Sequence, residues 1–346
     1  RPSGDGLFAV SCAREKPREI CPAERDTGGR MSGFAVIFPS QGVQHVGMGA
    51  GLCAASEKAR KVFSDAGRAL GRDIAGLCRE GPKSELDRTV NTQITVFLCN
   101  IAAYVIFREL AGSDPQAAAG HSLGEYAAIF AAGALGAEDL AVVVRDRGER
   151  HERAFPSGAG KMAAIIGLEE VIIARLCAEA SSAAEIVEMA NLNAVNQTVV
   201  SGHAPAVDRV LEAAVQAGAK KIAALPISVP CHSSLMEEAA RLFREDLDRV
   251  SFRDFRIPVI PNCDPGARYS PETAKNLLWK QIVSPVRWHE TVRRMAYMGI
   301  DTIVEIGPKK VLSGLIPAID KRVRPLYGGN DAASLEKCAE AVRGSV

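Results

Sequence analysis

The chain has 346 residues, enough for one large domain with an insertion or for two domains, and enough to bury a sizeable core. Its 42 basic and 41 acidic residues leave a formal charge of +1, which excludes an overall field for holding nucleic acid or an anionic membrane. The nine cysteines are odd in number and lack any C-x-x-C pair, so reduced thiols in a cytoplasmic protein are expected, with no bound metal.

Residues 1–30 have neither the long apolar centre of a secretory signal nor the acid-poor composition of a transit peptide. They read as a disordered extension or a start-site artefact, with Met31 as a candidate start because GFAVIFP follows at once. Phe34 to Phe38 reads as a buried strand, followed by the loop PSQGVQ (39–44). VGMGAG (46–51) is neither G-x-G-x-x-G nor a G-K-[ST] sequence, so nucleotide binding is discounted. VFSDAGRALG and TQITVFLCNIAAYVIFREL follow as helices, the second apolar nearly all round and therefore central. No apolar run approaches the roughly 20 residues that span a bilayer, so no membrane partner is expected.

The stretch AAAGHSLGEYAA (117–128) reads as a short small-residue strand that turns directly into a helix from Leu123 to Ala132, stopped by Gly133. Between about 160 and 228 the order is KMAAIIGL (strand), EEVIIARLCAEAS (helix), EIVEMANLN and QTVVSG (strands), APAVDRVLEAAVQAG (helix) and KKIAALPIS (strand). That βαββαβ order is the ferredoxin-like arrangement. The expected fold is therefore α/β: a hydrolase-like large domain (31–155 and 229–346) with a central, mostly parallel sheet, and an inserted ferredoxin-like small subdomain (156–228). Hinges are expected at PSGAG (156–160) and SVPCH (228–232). The large domain resumes with a helix at 235–249, strands at IPVIPN and DTIVEIG, and a final helix.

Three residues carry the candidate chemistry. Ser122 stands in a G-x-S-x-G frame between strand and helix, the context of a nucleophile elbow, although the pentapeptide alone also fits a helix N-cap. The Leu123 amide, at the helix start, is placed to donate to an oxyanion, and amides of the 39–44 loop could complete the hole. His232 is the best placed base among six histidines. It precedes Ser234-Leu-Met-Glu237, which reads as a capping box, and a nearby helix dipole would keep the imidazole neutral; the alternative is a histidine filling a loop. No carboxylate announces itself as a third triad member. Asp264 and Glu305 are candidates only by position, and a backbone carbonyl can serve instead.

Arg147 falls where the apolar face of EDLAVVVRDRGERHE, set by Leu140, Val143 and Val144, calls for a leucine. A guanidinium there must be paired, either in an internal salt bridge or by a substrate carboxylate.

FPSQGVQ with VGMG, GHSLGEYAA, the arginine of RDRGER, GKMAAIIGL, NQTVVSG, SVPCHSSLM, QIVSPVRW and EIGPKKVLSGL occur in that order from Met31 to about Leu326. In these segments the chain resembles the malonyl-CoA:acyl carrier protein transacylases of bacterial type II fatty acid synthesis and the related acyltransferases of polyketide synthases. The resemblance implies a ping-pong acyl-carrier-protein S-malonyltransferase that uses malonyl-CoA and acyl carrier protein, with no cofactor beyond the coenzyme A thioester; the alternative is an acyl hydrolase or a polyketide-pathway acyltransferase of the same fold. Ser122 would carry the acyl group and His232 would be its base. Amides of Gln41 and Leu123 would form the oxyanion hole, Arg147 would hold the malonyl carboxylate, and Gln281 would orient His232 through its backbone carbonyl. An acidic carrier would need a basic surface, for which Lys220, Lys221, Lys309, Lys310 and Arg287 are candidates. A monomer is expected. Three positions depart from the usual pattern: Ser40 and Val43 alter the P-G-Q-G-S-Q motif, and Cys231 replaces the serine before the histidine. Ser40 would disturb its loop if that position needed positive φ.

Overall fold

The computed structural model describes residues 33–156 and 158–344. The expectations for residues 1–30 and for Met31 lie outside them. Eight strands are present among the described residues: β1 (Phe34–Phe38), β2 (Ala117–Gly120), β3 (Gly160–Ile166), β4 (Val187–Ala194), β5 (Gln197–His203), β6 (Lys221–Ala224), β7 (Thr302–Ile306) and β8 (Arg324–Gly328).

The first sheet is parallel, in the order β2-β1-β7-β8. Every residue of β1, β2 and β7 is buried, as a parallel sheet covered on both faces requires. Alternation divides their side chains between two cores: Phe34, Val36, Phe38 and Ala118 face one, and Ala35, Ile37, Ala117 and Ala119 the other. The alanines of β2 leave room for the close approach of helix Gly124–Ala131.

Helix Thr89–Ala111 is the centre of the first core. Contrary to the expectation from sequence, it has the length and apolar composition of a bilayer span, yet 78% of its most apolar window is buried inside the protein. Helices Glu57–Leu70, Ala137–Arg153 and Ala332–Arg343 pack around it, so its apolar circumference is explained by protein neighbours.

The second sheet is antiparallel, in the order β4-β5-β3-β6, which is the ferredoxin-like topology read from the sequence. Ala163, Ile165, Val187 and Val200 face its own helices, Glu170–Ala180 and Ala204–Gln216. Met162, Ala190 and Val199 instead join the main core. The two sheets are stitched together where β4 meets the chain after helix Ala274–Val283: the Leu192 amide donates to Val286 O (2.9 Å), and the Val286 amide to Ala190 O (2.8 Å).

Two strand assignments differ. IPVIPN (257–262) is no strand; it lies beside β2 through a single bridge between Val259 and Ala118. Pro258 and Pro261 have no N–H to donate, so the ladder cannot extend. The segment Arg324–Gly328, unassigned from sequence, forms β8 at the sheet edge, where Pro325 is tolerated.

Candidate active site

The elbow is built by two glycines. A Cβ on Gly120 would lie 1.8 Å from the Gly124 carbonyl carbon, and one on Gly124 would lie 2.1 Å from Phe38 O. Between them Ser122 takes φ 51°, a left-handed conformation that a non-glycine residue holds only when its surroundings enforce it. Asn262 enforces it: its Oδ1 accepts from the Ser122 amide (2.6 Å), and its Nδ2 donates to Gly120 O (2.7 Å). The Ser122 side chain does not cap the helix, whose N-cap residue is Leu123.

Instead, the Ser122 hydroxyl meets His232 Nε2 at 2.7 Å, and His232 Nδ1 donates to Gln281 O at 2.8 Å. A carbonyl can only accept, so the proton sits on Nδ1 and the Nε2 lone pair faces the serine. His232 has φ 61° and its amide donates to Ile282 O (3.1 Å). Burial first, then the charge of Arg147, pushes its pKa down to about 3, so the imidazole is a neutral base near pH 7.

The capping box is not formed. Both the amide and the hydroxyl of Ser234 donate to Glu188 on β4 (2.6 and 3.1 Å), a 3₁₀ turn follows at Ser234–Met236, and the helix begins only at Glu237. Burial and Arg147, rather than a helix dipole, thus keep His232 neutral. Neither candidate carboxylate joins the pair. Asp264 is exposed on a loop, and buried Glu305 accepts the amides of Val311, Leu312 and Ser313.

Arg147 is 2% exposed and reaches the serine. Its Nη2 donates to Ser122 Oγ (3.1 Å) and Gln281 Oε1 (3.2 Å), and its Nη1 to Gln93 Oε1 (2.7 Å). All three acceptors are neutral, so the internal salt bridge is not formed. Gln281 stands between the guanidinium and the nearest buried carboxylate, donating through Nε2 to Glu125 (2.7 Å) and to Ser122 O (3.0 Å). Arg147 Nε, which shares an edge with Nη2, is buried without an acceptor. A cation so enclosed, with donors directed at the nucleophile, is built to receive an anion beside it.

Comparisons with known proteins show the family. A family model described as an acyl transferase domain matches residues 35–328. The chain belongs to the acyl transferase family. The malonyl CoA-acyl carrier protein transacylase of Escherichia coli strain K12 is 38% identical over 289 residues, 84% of this chain and 93% of that protein. The solved transacylase of that name from Coxiella burnetii is 38% identical with a TM-score of 0.87, covering 90% of this chain and 98% of the other. A malonyl-transacylase solved in complex with a type II polyketide synthase acyl-carrier protein is 37% identical with a TM-score of 0.86, covering 90% and 100%.

In this acyl transferase the remaining predicted residues lie where the topology puts the ends of β1 and β2. Gln41 follows β1, whose Phe38 carbonyl accepts the His121 amide (3.0 Å), so the loop carrying Gln41 adjoins the elbow carrying Leu123. Positive φ in that loop falls on Gly42 (98°) and not on Ser40, so the serine introduces no backbone strain. Cys231 is buried, and burial pushes its thiol up to about 11.

Sequence reading missed Gln93, Glu125, Asn262 and Tyr269. Glu125 accepts from Tyr269 OH, the Asn262 amide (3.1 Å) and Gln281, and burial nonetheless pushes its pKa up to about 7. The available signal was polarity out of place: Gln93 in an apolar helix, and Asn262 ending an apolar run.

Proposed function

We propose that the acyl transferase moves a malonyl group from malonyl-CoA to the phosphopantetheine thiol of acyl carrier protein, supplying fatty acid synthesis. The observation that carries this reading is the position of Ser122 Oγ, within hydrogen-bonding reach of both His232 Nε2 (2.7 Å) and a buried guanidinium, Arg147 Nη2 (3.1 Å). In the first half-reaction His232 Nε2 takes the Ser122 proton while Oγ attacks the thioester carbonyl carbon. The amides of Gln41 and Leu123 hold the resulting oxyanion. The C–S bond then breaks, and the departing coenzyme A sulfur receives the proton from His232.

In the second half-reaction the carrier thiol gives its proton to Nε2 and its sulfur attacks the malonyl-serine ester. The ester C–O bond breaks and Ser122 recovers the proton. Throughout, the Nε/Nη2 edge of Arg147 holds the distal carboxylate, which orders the acyl group against the nucleophile. Lys220, Lys221, Lys309 and Lys310 are exposed, while Arg287 is partnered by Glu290 (2.6 and 2.7 Å); these five residues are the proposed carrier-docking surface. The same reading carries a cytoplasmic monomer without metal or resident cofactor, and the seven described cysteines, all free, fit a reducing compartment.

Intact-mass measurement after mixing with malonyl-CoA should show one malonyl adduct, absent from Ser122→Ala and weaker with acetyl-CoA. No adduct on the unaltered chain would overturn the reading.

A further inference from the structure

Gln281 lies in the last turn of helix Ala274–Val283 and is fully buried. Four residues on stands Pro285, which has no N–H, so the Gln281 carbonyl lacks a helical partner and is free to accept from His232 Nδ1 (2.8 Å). The side chain of the same residue accepts Arg147 Nη2 at Oε1 (3.2 Å). One residue therefore touches both the base and the guanidinium.

The side-chain contact requires one orientation of the amide. Arg147 can only donate, so it takes Oε1, and Nε2 must meet acceptors. It meets Ser122 O (3.0 Å) and Glu125 Oε2 (2.7 Å). The contact with Glu125 is the shorter of the two, as a carboxylate acceptor makes it. Glu125 is itself fully buried, and its partners are neutral donors: Gln281, the Asn262 amide (3.1 Å) and the Tyr269 hydroxyl. A carboxylate buried without a cation against it is unfavourable for the fold. What it supplies here is a second fixed point for the Gln281 amide, three residues along the chain from the nucleophile.

We propose that Glu125 is a positioning residue, whose carboxyl group anchors the Gln281 amide and through it aligns the Arg147 guanidinium with the distal carboxylate of the acyl group. The inference rests on the malonyl-transfer reading above. An apolar residue at this position leaves Nε2 with the serine carbonyl alone, and the guanidinium edge is then free to swing with the amide. The backbone carbonyl that orients His232 is held by the helix and not by the amide. Loss of Glu125 therefore falls on a malonyl group more heavily than on a simple acyl group.

The test is a competition between equal amounts of malonyl-CoA and acetyl-CoA, read as the ratio of the two Ser122 adducts by intact mass at an early time. Glu125→Met should lower the malonyl preference by about tenfold or more, as misplaced binding groups do. Glu125→Gln keeps a carbonyl for Gln281 and Asn262 and turns an amide toward the Tyr269 hydroxyl, so the preference should hold within about threefold. In a Gln281→Met background, Glu125→Met should shift the ratio by less than about threefold, because the route through the amide is already cut. A merely structural role would lower both adducts together and leave the ratio unmoved. That result, a ratio lowered equally in Glu125→Gln, or the full effect persisting without Gln281 overturns the proposal. Should Glu125→Met lose its cooperative melting transition, Glu125→Ala carries the comparison. Absence of any malonyl adduct on the unaltered chain would instead remove the malonyl reading itself, so the two failures are distinguishable.

Discussion

At the scale of single residues, the proposed role of Arg147 is to separate a dicarboxylic acyl group from a simple one. Arg147→Ala removes a charge-assisted, two-pronged contact, and malonylation of Ser122 should fall by about 10²-fold or more, measured by stopped-time mass spectrometry, with acetylation falling much less. Arg147→Lys should restore little, because an ammonium cannot present the Nε/Nη2 edge. Equal losses with both thioesters would show that the guanidinium supports the fold rather than the substrate.

The histidines set a pH dependence. His232, His121 and His151 all have pKa values pushed down mainly by burial, to about 3 for His232 and about 4 for His121. The unfolded chain binds these protons near pH 6.5, whereas the folded chain refuses them until much lower pH. Stability from these groups is therefore complete above about pH 6.5 and is lost as pH falls toward 4 and 3. The melting temperature should decline over that window, and replacing buried His151 by Gln should flatten the decline. The residue-level chemistry was only partly legible from sequence. Ser122, His232 and Arg147 stood out by motif or by misplaced polarity, but the source of His232's neutrality did not, because it depends first on burial and then on an arginine 85 positions away.

At the scale of elements, the elbow is a strand–turn–helix whose strain is held by a residue from elsewhere in the chain. Asn262→Ala leaves the Ser122 amide and the Gly120 carbonyl unpaired, which costs about 1–3 kcal/mol for each buried group. Both melting temperature and the rate of malonyl-serine formation should drop, the rate more steeply, since Ser122 would relax from φ 51°. A variant that melts early yet acylates at the normal rate would show that the glycines alone hold the turn.

The G-x-S-x-G frame was readable because it stands between a strand pattern and a helix pattern, although Gly124 answers the distant Phe38 carbonyl. Asn262 was not, since nothing local marks the end of IPVIPN as a clamp. The same segment misled as a strand: its apolar pattern is right, but two prolines deny it the donors of a ladder. The expected capping box failed for a tertiary reason, because Glu188 takes both polar groups of Ser234.

At the scale of the whole molecule, the two sheets share the work. The parallel sheet places Ser122 and the amides of Gln41 and Leu123 beyond the ends of adjacent strands, and the antiparallel sheet turns one apolar face onto the same core. His121, adjoining the nucleophile, links them through Asn193 of β4 (Nε2 to Oδ1, 2.9 Å). On the outer surface, reversing the charges of Lys220, Lys221, Lys309 and Lys310 should slow transfer to acyl carrier protein about tenfold at low salt, while acylation by malonyl-CoA is unaffected. Equal carrier transfer in the reversed protein would remove that docking surface.

By itself the sequence determined the alternation of elements, the two topologies, the candidate nucleophile and the misplaced arginine, because each is a local or periodic property of the chain. The tertiary structure alone decided which partner each polar group takes. Gln281 reaches both His232 and Arg147, Asn262 pins the serine, and His151 folds back onto the Arg147 carbonyl. Such pairings follow from burial and three-dimensional proximity between segments far apart in the chain, and no local spacing records them.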